Sequence, residues 1–85
     1  MVRELKETVE LMNSLNFEDR LKAEFWQTKI RCDRLHDYLV LVEQGFETVD
    51  TKEELSLLNM QAKIMELYLE VLKERAKLLG IKLYA

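Results

Sequence analysis

The chain has no proline and only two glycines, Gly45 and Gly80. Nothing therefore breaks a helix from within, and few positions invite a left-handed backbone. A single cysteine, Cys32, excludes an internal disulfide and supplies no metal-ligand cluster, so neither metal nor cofactor is expected. A basic stripe is also missing: the net charge is −3 with both signs interspersed, which argues against duplex nucleic acid as a partner. No apolar run approaches the roughly twenty residues needed to cross a bilayer, so no membrane partner is expected. Residues Met1 to Lys6 alternate charged and apolar side chains. That pattern predicts no secretory signal, and the cytoplasm is the expected compartment.

What remains is a small, helix-prone chain. Of its 85 residues, 48% are hydrophobic and 34% charged, a balance that suits one ordered all-α domain rather than a disordered segment. A first helix is expected over about Val2–Leu15, with Val2, Leu5, Val9, Met12 and Leu15 on one face. Asn13, Ser14 and Asn16 then compete for local backbone bonds, and Asn16 can cap a second helix running to about Glu43. The seam of that helix is Leu21, Phe25, Thr28, Cys32, Leu35, Leu39 and Val42. Gly45 ends it, either Asp50 or Thr51 restarts the chain with a capping box, and the third helix stops at Gly80. Two long helices of similar length joined by a short loop predict an antiparallel helical hairpin over residues 17–79, preceded by the short helix. The tail from Ile81 is too apolar to be indifferent to its surroundings.

The third helix carries more apolar surface than a hairpin needs. One seam runs through Leu55, Leu58, Ala62, Met65, Leu69, Leu72, Ala76 and Leu79; a second runs beside it through Leu57, Gln61, Ile64, Tyr68, Val71, Arg75 and Leu78. One seam closes a hairpin, so the other calls for further cover. Met60 and Leu67, farther out, add to that demand. About fourteen residues of a first helix cover only part of it, and a homo-oligomeric helical bundle is the expected assembly.

Folding the hairpin pairs Lys29 with Glu66, His36 with Asn59 and Glu43 with Lys52 on one flank, with Lys22 and Lys73 a poor match. The other flank gathers Arg31, Arg34 and Tyr38 from the second helix with Gln61, Tyr68 and Arg75 from the third, and Glu24 lies among them. Two readings stay open for these residues. They form an internal network in which Arg75 pairs with Glu24, or they bind a planar anionic ligand, with guanidinium groups on phosphate, tyrosine rings stacked on a base and Gln61 at an edge. Elsewhere His36 reads as a structural histidine and Cys32 as a small hydrophobe. Trp26, Ile30 and Val40 point away from the third helix, toward either the first helix or another subunit. Catalytic signatures are missing: there is no phosphate loop, no paired-histidine motif and no nucleophile–base arrangement, so no enzymatic activity is expected.

The stretch FEDRLKAE at Phe17–Glu24, with Lys29, Leu35 and Leu39 and then Gln61, Met65, Tyr68, Leu72 and Arg75, resembles a group of very small helical-hairpin proteins of tailed bacteriophages, including crAss-like phages. The resemblance covers about residues 17–76. In architecture this group is similar to the anti-CBASS and anti-Thoeris sponges, homo-oligomers that sequester nucleotide immune signals without cleaving them. The resemblance implies a counter-defence protein of the host-cell cytoplasm whose partner is a cyclic nucleotide or ADP-ribose-type signal. The alternative is direct inhibition of a host or defence protein. Only Gln61, Tyr68 and Arg75 carry over by match; Arg31, Arg34 and Tyr38 come from helical geometry.

Overall fold

The computed structural model describes residues 2–84. All its regular elements are helical: a 3-10 turn over Leu5–Thr8, then α1 (Val9–Met12), α2 (Phe17–Glu43) and α3 (Lys52–Leu79). The described part measures 42 × 24 × 19 Å, close to the length of one long helix.

The ends of α2 and α3 follow from local chemistry. The Asn16 side chain accepts the Glu18 backbone N–H at 2.8 Å, capping the orphan donors of α2. Of the two expected caps for α3, Thr51 takes the position, its hydroxyl accepting the Glu54 N–H at 3.0 Å. Both helices finish alike. Gly45 (φ 83°) and Gly80 (φ 68°) adopt the left-handed conformation. Phe46 N–H then bonds back to Leu41 at 2.9 Å, and Ile81 N–H to Ala76 at 2.8 Å. These six-to-one bonds satisfy carbonyls that a helix end leaves orphaned.

The continuous first helix expected over Val2–Leu15 is not formed. The chain makes the 3-10 turn and one turn of α-helix, and its buried face is also different. Val9 and Met12 are about half exposed and Leu15 is 98% exposed, whereas Thr8 is buried and Leu5 and Leu11 are half-buried. Short helices are marginal unless tertiary contacts hold them, and here the contacts favour the tighter winding. The Thr8 hydroxyl donates to the Leu5 carbonyl at 2.6 Å and accepts from Gln27 Nε2 of α2 at 3.0 Å. Ser14 then closes the link by donating to Asp19 at 3.0 Å and accepting the Asn16 N–H at 3.1 Å.

The inner seam of α3 packs on α2 in part: Ala62, Leu69, Leu72 and Ala76 are buried, Leu55, Leu58 and Met65 are half-buried, and Leu79, at the helix end, is 55% exposed. Leu69, Leu72 and Ala76 are buried with Leu21, Phe25, Trp26 and Cys32, and Val2, Met65, Ile81 and Leu83 border that core. Trp26 is covered by the carboxyl-terminal tail. Its indole N–H donates to the Leu83 carbonyl at 3.0 Å, and its ring meets Tyr84 edge-on at 5.1 Å and Phe25 at 5.2 Å. Gly80 makes this possible: the left-handed turn sends Ile81 back across the helix end and lays the tail on α2. Ile30 is buried beside it, while Val40, farther along the same helix, stays 48% exposed.

Candidate functional site

The six candidate residues lie on α2 and α3, and the two helices bring them to one flank without joining them. The Arg75–Glu24 pair expected of an internal network is not formed. Arg75 is half-buried with its guanidinium carbon 6.0 Å from the centre of the Phe17 ring, at the outer edge of cation–π range. Arg31 and Arg34 are exposed, and among the described residues neither is within ion-pair distance of a carboxylate. Among the described residues none of the three guanidinium groups has an ion-pair partner.

The polar groups beside them are held individually. Tyr38 donates its hydroxyl to the Thr48 carbonyl at 2.8 Å, which ties α2 to the loop and leaves the ring half-exposed along the flank. Gln61 touches only the Met65 sulfur of its own helix, at 3.9 Å. Tyr68 is 40% exposed, and around it Leu57, Ile64 and Val71 each show more than half their surface. This flank is an open amphiphilic strip, and its six residues line none of the four main grooves of the described residues.

A concavity between the two long helices lies on the other flank. A groove of about 520 Å³ opens between α2 and α3 near the loop, and His36, Glu43, Asn59, Lys63 and Glu66 form its polar edge. None of the six candidates lines it. The expected pairs on this side are replaced. His36 Nε2 meets Glu66 at 2.7 Å, seven positions along α3 from the expected Asn59, whose amide donates to its own Leu55 carbonyl at 3.0 Å. Lys29 pairs with Asp33 one turn away at 3.1 Å, and Glu43 and Lys52 form no ion pair. Lys22 and Lys73, the poor match, turn instead to Glu18 and Glu70 of their own helices. The three lysines thus pair within their own helices, one turn away, while His36–Glu66 is the pair that crosses from α2 to α3.

The sequence sets His36 opposite Asn59 and Glu66 opposite Lys29, and it marks neither as a groove residue; the His36–Glu66 contact corrects both pairings. Cys32 is buried as a small hydrophobe. Burial pushes its thiol upward, and the carboxylates of Asp33 and Glu66 add to that while Lys29 opposes them. Among the described residues no helix is long and apolar enough to cross a membrane, and no group of three His, Cys, Asp or Glu side chains could hold a metal ion.

These features define a small all-helical protein whose distinctive surfaces are an exposed flank and an open groove. The chain belongs to the Sequestin family: the family model of that description matches residues 15–78, from the cap of α2 almost to the end of α3. The 3-10 turn, α1 and the tail over Trp26 lie outside the matched region. No curated protein and no solved structure matches the chain.

Proposed function

We propose that this protein is a phage counter-defence factor, a helical hairpin that assembles as a homo-oligomer and sequesters a nucleotide immune signal without catalysis. The ligand class is a cyclic oligonucleotide or an ADP-ribose derivative. One observation carries the reading: Arg31, Arg34 and Arg75 share a flank with two tyrosines, and among the described residues none has a carboxylate partner. Unpaired guanidinium groups suit phosphate oxygens, and the half-exposed rings of Tyr38 and Tyr68 suit a nucleobase face. The family name, which speaks of sequestration, agrees with binding as the activity. Because the flank is open, a second subunit has to complete the enclosure that tight binding requires.

The test is a thermal-shift series with cyclic dinucleotides, cyclic trinucleotides and cyclic ADP-ribose isomers. A ligand at a hundredfold its Kd stabilises the folded state by about 2.7 kcal/mol, which is readable as a raised Tm. Arg31→Ala should abolish the shift and leave the Tm of the free protein unchanged, since Arg31 is exposed and makes no ion pair among the described residues. An oligomeric protein that shifts with none of these compounds would sink the reading. The exposed apolar strip of α3 would then favour the alternative, inhibition of a host or defence protein by direct contact, which a pull-down from infected cells addresses.

A further inference from the structure

The outer face of α3 carries a second, complete heptad seam. Leu57, Met60, Ile64, Leu67, Val71 and Leu78 follow the alternating three-and-four spacing, with Glu74 filling the one remaining position. All six apolar members are more than half exposed. The residues that face α2 are Ala62, Leu69, Leu72 and Ala76, so this seam points away from the rest of the protomer. It extends over about 30 Å at 1.5 Å per residue, long enough for three heptads of knobs-into-holes packing.

We infer that this seam pairs with the same seam of a second copy, antiparallel, about a two-fold axis that crosses α3 between Met65 and Glu66. Charge complementarity selects the occupant, the direction and the register. In a parallel pair each seam residue meets its own copy, and Glu74 would face the partner's Glu74 within an apolar layer, a costly burial of like charge. In the antiparallel pair Ile64 packs on the partner's Leu67 and Met60 on the partner's Val71. Glu74 moves to the end of the seam, beside the partner's Leu57, where its carboxylate reaches water.

The flanking positions then match in sign. Lys63 faces the partner's Glu70, Arg75 faces the partner's Glu54, and Gln61 faces the partner's Tyr68. By two-fold symmetry every one of these contacts is made twice. Sliding the register by one heptad sets Lys63 against the partner's Lys77 in one direction and against the partner's Lys63 in the other. Only the central register puts opposite charges on both sides of the seam.

The pairing also gives the candidate flank its second wall. Gln61 and Tyr68 of both copies meet along the edge of the seam, next to Arg31 of α2. Arg75, which has no carboxylate partner among the described residues of one protomer, gains one and becomes an interface residue, which leaves Arg31 and Arg34 to face a ligand. The interface stands on charge and spacing alone and does not depend on any ligand.

Analytical ultracentrifugation of the full chain tests it. The wild type should sediment as a dimer. Leu67→Asp, at a position exposed in the protomer, should sediment as a monomer with an unchanged helical circular-dichroism spectrum. Lys63→Glu should weaken dimerisation by about tenfold, because two attractive pairs become repulsive. Combining it with Glu70→Lys should restore dimerisation relative to either single variant. A parallel pair behaves differently, since there Lys63 faces the partner's Tyr68 and the charge swap restores nothing. A monomeric wild type, or a Lys63→Glu variant that dimerises like the wild type, overturns the inference. Arg31→Ala separates this interface from the ligand proposal: it should dimerise normally whether or not a ligand binds.

Discussion

The two ends of the α2–α3 pair start from the same seam pattern and reach different packing. At the end that holds the start of α2 and the finish of α3, Leu21, Phe25, Trp26, Cys32, Leu72 and Ala76 are all buried. At the loop end Leu35, Leu39, Val42, Leu55 and Leu58 are only half-buried, and a groove of about 520 Å³ remains. The difference lies in the third layer. Two helices bury the stripes that face each other but leave grooves on either side. At the closed end the tail from Ile81 and the segment around Thr8 cover the helix pair, leaving only shallower grooves of about 360 and 400 Å³ along their edges; at the loop end no described segment covers it. Burial at a seam position therefore depends on what lies beside the helix pair as much as on the seam itself.

The largest expected effect comes from removing the contact between the layers. Trp26→Ala should cost about 3–5 kcal/mol, the range for deleting a buried aromatic side chain. It loses the packing on Phe25 and Tyr84 and the bond to the Leu83 carbonyl, and it should release the tail. Urea titration followed by circular dichroism measures this, since Trp26 is the only tryptophan. A loss under about 1 kcal/mol would mean that the tail contributes little to the closed end.

A matched pair of truncations sharpens the comparison. Leu72→Ala should cost about 2–5 kcal/mol because the site is fully buried, while Leu39→Ala at the open end should cost about 1 kcal/mol. Trp26 fluorescence reports unfolding in both variants. Equal losses would show that the loop-end groove is filled in solution, by a second subunit or a ligand.

The smallest effect belongs to Cys32, at the boundary between the two ends. Its thiol is raised from the ordinary value of 9.0 by burial first and by Asp33 and Glu66 next. The folded chain therefore holds this proton more tightly than the unfolded chain does. That contribution to stability is complete below the ordinary thiol value and is lost as the pH climbs through the raised one. Urea midpoints taken at increasing alkaline pH should fall for the wild type, and by less for Cys32→Ala. Identical slopes would show that the thiol takes no part.

Much of the fold is legible in the sequence. Phe17–Glu43 and the stop at Gly80 follow from caps, periodicity and two glycines that act within one turn of the residues concerned. The first helix was less legible, because a segment of a dozen residues has too little helix-forming strength to resist its docking site. Thr8, bonded to Gln27, set the buried face there, and Leu15 was left in water. The candidate flank was legible as a set of residues but not as a network. Whether Arg75 reaches Glu24 depends on ångström-scale offsets between helices, which no periodicity encodes.

Local chemistry thus fixes where α2 and α3 begin and end and which stripe of each is apolar, since these depend on residues within a turn or two of one another. Packing decides the rest: that the tail closes over Trp26, that His36 finds Glu66, and that the groove opens at the loop end. Those outcomes join residues distant in the chain, and they turn on how closely two helix surfaces approach and what is left to fill the space beside them.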